Sequence, residues 1–337
     1  MKSLKTTRKC LILLSAEPMI EYLIIQLDDT STSYCHYENP KRKENLIGLD
    51  TLKSGILFAM KENLMIQFVY PDYELPQEYK DAIETIDHSK IVSSLCEDES
   101  LRDEADVIVY HDWTGLSFGK FEEGKSYVLR TTKADLFARY LFVKDVLSKV
   151  TRLNIVITDI ESFKEEDFKR YKQILETLSG CLEKLYVEGK SPQLNLLTDR
   201  MMLSAMNNCG AGDSCIALAP NGKFYICPAF YYEDEADCIG DLEHGLDIKN
   251  KQLYQLDHAP ICRHCDAWQC KRCIWLNRKM TLEVNTPSHE QCVLAHLERN
   301  ASRELLQNIR KHGTFLPQQE DIKEIDYLDP FDKRDEW

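Results

Sequence analysis

The chain has 337 residues, 43% of them hydrophobic, with only 13 Gly and 11 Pro. That is enough for one large domain and a smaller one, and it excludes a low-complexity or disordered chain. Its 56 acidic residues outnumber 42 basic ones, for a net charge of −14. This argues against nucleic acid and anionic membrane as partners and suits simple solubility or a basic peptide.

No stretch approaches the roughly 18 apolar residues of a membrane span. Lys2, Lys5, Arg8 and Lys9 precede an apolar run at 10–14, the outline of a signal peptide. The run is short, however, Glu17 follows it, and no small-x-small cleavage site stands out. Residues 10–16 therefore read as a first strand or its approach, and the protein as cytoplasmic.

Residues 22–27 (YLIIQL) read as a strand ending at Asp28 and Asp29. A helix follows at 49–61, with Leu52, Ile56 and Met60 on one face, then a strand at 65–70 (MIQFVY) closed by Pro71. A helix at 78–86 and strands at 105–110 (ADVIVY) and 126–130 come next. Thr132 with Asp135 resembles a capping box and opens a helix through residue 150. After a strand at 153–158 (LNIVIT), Ser162 and Glu165 cap the clearest helix. Its Phe168, Tyr171, Leu175, Leu178, Leu182 and Leu185 recur every three or four residues, and Gly189 ends it. A strand at 194–197 closes the series. Such alternation predicts an α/β domain with a mostly parallel sheet and covering helices, of about five to seven βα units. A partial barrel and an open sheet fit equally well.

Near residue 205 the periodic pattern stops. The expected organisation is an α/β domain at 1–205, a small cysteine-rich domain at 206–295, and a helix with an acidic, loose tail at 296–337. That last helix is read at 295–312, through Leu297, Leu305, Leu306 and Ile309.

Nine of the 13 cysteines fall between Cys209 and Cys292. In a reducing compartment such clustering points to metal ligation, not disulfides. Cys209-x5-Cys215 is followed after eleven residues by Cys227, across a strand, a Pro220-Asn221-Gly222 turn and a second strand. The hairpin brings Cys215 and Cys227 onto neighbouring strands. Downstream lies Cys262-x2-Cys265-x4-Cys270-x2-Cys273, then Cys292 after eighteen residues. A Cys-x2-Cys step converges two thiolates on one centre. Its polar neighbours Arg263, His264, Asp266, Lys271 and Arg272 do not suit a buried apolar core. Iron–sulfur clusters and two zinc ions both match this donor set.

The run from Cys209 to Cys292 resembles a SPASM domain, the C-terminal extension of radical SAM enzymes that mature peptides and proteins. Ile239-Gly240-Asp241-Leu242 resembles that family's segment after the hairpin. The resemblance implies two 4Fe–4S clusters. One would be held by Cys209, Cys215, Cys227 and Cys273, the other by Cys262, Cys265, Cys270 and Cys292. Cys238 is left over as a structural residue or spare ligand. Two gaps in the second run are each one residue shorter than the family's, which bears on which sulfur serves which cluster.

The Cys-x3-Cys-x2-Cys motif that holds the SAM-binding cluster is absent, and so is an adjacent glycine pair. Where that motif would fall, 27–37 keeps one cysteine, Cys35. The first domain therefore reads as a degenerate radical-SAM-like partial (βα) barrel, with S-adenosylmethionine not expected. Through residues 22–37, 61–73 and the cysteine-rich tail, the whole chain resembles the CXXX repeat peptide maturase family. That implies a precursor peptide and a separate radical SAM enzyme as partners, with no nucleic acid or membrane. The competing reading is a zinc-stabilised adaptor that binds a peptide or partner enzyme without redox chemistry. A third is catalysis in the barrel by His111 and Asp112, Asp159 and Glu161, or Asp28 and Asp29, which follow strands. No catalytic residue is assigned, and whether the chain is itself an enzyme stays open. His264 is expected at the surface or behind a ligand.

Overall fold

The computed structural model describes residues 20–332; the expected strand at 10–16 lies outside them. Strands and helices alternate: β1 (Tyr22–Gln26), α1 (Leu49–Glu62), β2 (Met65–Val69), α2 (Gln77–Ile83), β3 (His88–Ser93), α3 (Glu99–Glu104) and β4 (Val107–Tyr110). They continue as α4 (Trp113–Ser117), β5 (Ser126–Thr131), α5 (Lys133–Arg139), α6 (Val143–Leu147), β6 (Arg152–Ile157), α7 (Glu165–Val187), β7 (Gln193–Leu194) and α8 (Asp199–Met202). The remainder holds the hairpin β8 (Cys215–Leu218) and β9 (Phe224–Tyr225), α9 (Pro228–Glu233), β10 (Gly240–Asp241), β11 (Gly245–Leu246), α10 (Ile274–Thr281) and α11 (His289–Arg310).

Among the described residues, nine strands form one sheet in the order β7-β6-β5-β4-β3-β2-β1-β8-β9. Neighbours are parallel except for the β8–β9 hairpin. The hairpin that opens the cysteine-rich region thus extends the same sheet by pairing β8 with β1.

Side chains alternate across the sheet, as the two-residue period of a strand requires. Leu23, Ile25, Phe68, Val92, Ile108, Leu129, Ile155 and Ile216 face the helices in the main core. Ile24, Val69, Ile91, Val109, Val128, Cys215 and Ala217 form a second, inner cluster, onto which Tyr34 of the loop after β1 packs. α7 lies against α11, burying Tyr171, Leu175, Leu178 and Leu182.

Several expectations shift. Met60 is exposed while Leu52 and Ile56 are buried, because α1 packs along a narrower stripe. β3 was not expected: HSKIVS has no clean alternation, and its Lys90 ammonium reaches Glu84 and Glu104 at the edge of the structure. Thr132 does cap α5, accepting from the Asp135 amide, but the helix breaks into a 3₁₀ turn at Tyr140–Phe142 before α6. The cap of α7 is set by Asp167, whose carboxylate accepts from the Lys164 amide at 3.0 Å, and not by Ser162 and Glu165. The strand expected at 194–197 is two residues long. α11 starts six residues before the expected 295, capped by Ser288. The tail is not loose throughout, since Ile322 and Asp329 are buried.

Candidate metal centre

Two groups of thiols form where the cysteine-rich loops fold onto the sheet and onto α11. All twelve described cysteines are free.

The first group begins in a tight loop. The Gly210 carbonyl accepts from the amides of Asp213, Ser214 and Cys215, each at 2.9 Å. Gly210 and Gly212 adopt φ of +66° and +77°, a region that glycine enters without steric cost. This turn folds Cys209 back towards Cys215. The Cys209 amide also donates to the Lys271 carbonyl at 3.2 Å, and the Asn207 amide to that of Trp268 at 3.0 Å, which brings the segment beside Cys273. Cys227 and Cys273 stand at the N-caps of α9 and α10. Amides of Ala229 and Phe230 face the Cys227 sulfur, and those of Trp275 and Leu276 face Cys273, a setting that favours thiolate.

The second group gathers around α11. Cys262 opens a 3₁₀ turn whose carbonyl accepts from the Cys265 amide at 3.0 Å, and the Ala267 carbonyl accepts from the Cys270 amide at 3.0 Å. The Ala267 amide points at the Cys265 sulfur at 3.4 Å. Charges on Cys270, Cys262 and Cys265 all act on Cys292. Gln269 donates to the Ala295 carbonyl at 2.7 Å, tying the loop to the helix.

One face of α11 serves this loop at positions i, i+4 and i+7. Cys292 joins the thiols, His296 Nε2 lies 3.3 Å from the Cys265 sulfur, and buried Arg299 forks onto the Asp266 carboxylate. Burial favours the protonated form of seven of these thiols. It pushes Cys215 and Cys270 up to about 12 and Cys262 to about 11. It also raises Cys227, Cys265, Cys273 and Cys292. A cation binding there must displace those protons and would offset the cost of burying thiolates.

The eight thiols proposed from sequence lie in the loop before β8 and at the start of β8, at the N-caps of α9 and α10, in the 262–270 loop and on α11. Among the described residues, no three cysteine sulfurs lie within 4.8 Å of one another. Cys238 packs against the main core, and His264 is exposed.

The barrel candidates have other occupations. Asp112 caps α4 through the Gly115 amide at 2.7 Å. Asp159 accepts from the Lys133 amide at 2.7 Å, and Glu161 pairs with Lys279 at 2.7 Å. Asp28 is bonded by Thr30, the Asn45 amide and Tyr73, and Asp29 by Tyr231, Asn45 and Lys41. His111 lines a cavity of about 310 Å³ with Glu38, Arg130, Thr131, Thr158 and others at the ends of β4, β5 and β6. Burial, then the Arg130 charge, lowers its pKa. It accepts from Arg130 through Nδ1 at 3.3 Å and meets Thr32 through Nε2 at 2.7 Å.

Sequence reasoning missed Arg130, His296 and Arg299. Spacing from Cys292 along a continuous helix is the one signal that would have found the last two.

No family model matches the chain, and no curated protein matches it in sequence. Solved structures do resemble it. Histidine-tagged anSMEcpe with bound AdoMet is 12% identical with a TM-score of 0.55, the match covering 87% of this chain and 96% of that one. Native anSMEcpe with bound AdoMet and the Cp18Cys peptide is likewise 12% identical at a TM-score of 0.55, over 87% and 99%. A third, native anSMEcpe with bound AdoMet and the Kp18Cys peptide, is 13% identical at 0.54, over 86% and 99%. That protein is an anaerobic sulfatase-maturating radical SAM enzyme with a SPASM domain. At such identity the likeness is one of fold: an α/β, mostly parallel, radical-SAM-like partial barrel continued by a cysteine-rich tail.

Proposed function

We propose that this chain is an iron–sulfur partner in peptide maturation. It would bind a ribosomally made cysteine-repeat precursor and act beside a separate radical SAM enzyme. Cys209, Cys215, Cys227 and Cys273 would hold one 4Fe–4S cluster, and Cys262, Cys265, Cys270 and Cys292 the other. Bound clusters would supply one-electron transfer. The chain's own residues would hold and screen them: amides face Cys227 and Cys273, and α11 closes over the second group.

The observation that carries this reading is the run of nine cysteines from Cys209 to Cys292 on a fold shared with a maturase, in a chain without the three-cysteine SAM motif. The acidic surface suits a basic leader peptide.

Anaerobic purification with iron, sulfide and zinc quantified beside a visible spectrum tests the proposal. The expected result is about eight irons with matching sulfide and a broad visible band. Two zincs, no iron and no colour would leave a zinc-stapled adaptor instead.

A further inference from the structure

Away from the cysteines, three side chains with metal-ligating atoms converge where the end of the chain returns to α11. His289, the first residue of that helix, turns Nδ1 to the Asp329 carboxylate at 2.5 Å. Asp332 follows in a 3₁₀ turn, its amide donating to the Asp329 carbonyl at 3.0 Å. One ligand atom from each of His289, Asp329 and Asp332 lies within 4.8 Å of the other two.

Segments distant in the chain fix this geometry. Asp329 keeps only 4% of its surface exposed, and its second oxygen accepts from the Phe331 amide at 2.9 Å. The imidazole is held from α7. The Phe168 ring meets it edge-on at 5.6 Å between centroids, and Glu165 Oε1 lies 3.6 Å from Nε2. A histidine that ligates a metal through one nitrogen usually gives the other to a carboxylate, which fixes its tautomer and raises its basicity. Glu165 stands in that position. Two carboxylates against one imidazole also leave a net negative charge even when the ring is protonated, which a divalent cation would neutralise.

We propose that His289 Nδ1, Asp329 and Asp332 form a site for a divalent transition ion of the zinc class, with water as its fourth ligand on the exposed Asp332 side. One nitrogen and two oxygens suit zinc, whereas magnesium and calcium take oxygen ligands. At about 2.1 Å per bond the donors stand roughly 3.4 Å apart. The ion therefore replaces the proton shared by His289 and Asp329, releases it to water and spreads the pair by about 1 Å. The site is independent of what the cysteines hold. Its effect falls on the tail: Tyr327, just before Asp329, meets the His296 ring at 5.6 Å, and His296 Nε2 lies 3.3 Å from the Cys265 sulfur. Zinc thus pins the end of the chain across α11, beside the cysteine loop.

The test titrates the anaerobically purified full chain with Co2+ and with Zn2+, as wild type, Asp332→Ala and Glu165→Gln. Asp332 is exposed, and hydrogen exchange across α11 without added metal controls for folding. The cobalt difference spectrum, wild type minus Asp332→Ala, should show one equivalent with the weak visible bands of nitrogen and oxygen ligation and no thiolate charge-transfer band. Zinc should raise exchange protection at 322–332 in the wild type and not in Asp332→Ala, and Glu165→Gln should bind it about 10–100-fold more weakly. A flat difference spectrum, thiolate bands within it, or tail protection that zinc leaves unchanged or raises equally in Asp332→Ala would overturn the site.

Discussion

Replacing Arg299 by methionine should loosen the second thiol group more than any other single change outside the cysteines. Arg299 has no exposed side-chain surface and donates through Nε at 3.0 Å and through Nη2 at 2.5 Å to the two oxygens of Asp266. Asp266 directly follows Cys265, so the fork fixes the loop that carries two of the proposed ligands. Burial alone would raise the Asp266 carboxyl, but the Arg299 fork outweighs it and holds the pKa below the usual range. Removing one partner of a buried pair costs about 3–5 kcal/mol. Here Arg200 stays 3.5 Å from the carboxylate, and Asp266 keeps about a third of its side-chain surface in water. These lower the expected loss to about 2–3 kcal/mol. Urea unfolding of the anaerobically purified chain reads it through fluorescence, since Trp268 lies 3.8 Å under the Arg200 guanidinium. Iron retention against a chelator gives a second readout. Arg299→Lys should recover only part of the loss, because an ammonium cannot make the two-pronged contact. A loss under about 0.5 kcal/mol, or the same loss in an Asp266→Ala background, would refute the argument.

Other perturbations probe separate parts of the fold. Asp98 caps α3 through the Leu101 amide and pairs with Lys80 at 2.8 Å. Asp98→Ala should cost about 1–2 kcal/mol in chemical denaturation. Burial would raise that carboxyl, yet Lys80, the Leu101 amide and Ser100 hold it down to about 2. Its contribution is therefore complete above the unfolded value near 4 and lost between about pH 4 and pH 2, which an acid titration of the wild type against the variant would show. His289 faces Asp329, Glu290 and Glu165 and is raised despite partial burial, chiefly by the Asp329 hydrogen bond, with Asp332 also near. Stability from this pair is full below the unfolded value of about 6.5 and fades as pH rises through the raised one. Hydrogen exchange at 322–332 should accelerate over that window, and a flat profile would count against a stabilising role for the His289–Asp329 pair. Gly240→Ala should cost about 1–3 kcal/mol. φ there is +125° and a Cβ would strike the Gly245 carbonyl oxygen, so exchange protection at Ile239 and Asp247 should fall; unchanged protection would contradict it.

The sheet was largely legible because short, nearly continuous apolar runs mark β1, β4, β5 and β6, as strands covered on both faces require. β3 was not, since His88 and Lys90 interrupt its apolar pattern and find their partners in Ile86, Glu84 and Glu104. The break between α5 and α6 was hidden for a related reason, as residues 133–150 keep a helical pattern of apolar side chains through the 3₁₀ turn. The cysteine-rich region stood out through two Cys-x2-Cys steps and a hairpin turn, which are local patterns along the chain. What surrounds the thiols did not, since Arg299 with Asp266 and Arg130 with Cys35 are long-range pairs that only the folded chain assembles.

The same long-range pairs indicate where the chemistry of this chain resides. The inner face of the sheet is lined by Ile24, Val69, Ile91, Val109 and Val128, and Tyr34 from the chain's own loop packs on it. Arg130 spends its donors on the Cys35 and Tyr37 carbonyls, Glu38 and His111. It acts as a clamp on that loop, and little of it is left to grip a substrate. His111, the one titratable candidate of the barrel that lines the cavity without serving as a cap, is held neutral at pH 7 by burial and by this same arginine. Its two ring nitrogens already face Arg130 and Thr32. Carboxylates that could have acted as bases instead cap helices or hold loops. The thiols are set differently: Cys215, Cys262 and Cys292 are buried, most of the others are partly so, and backbone amides face Cys227, Cys265 and Cys273. The reactive groups that remain lie among the cysteines, between the loop after β1 that Arg130 clamps and helix α11.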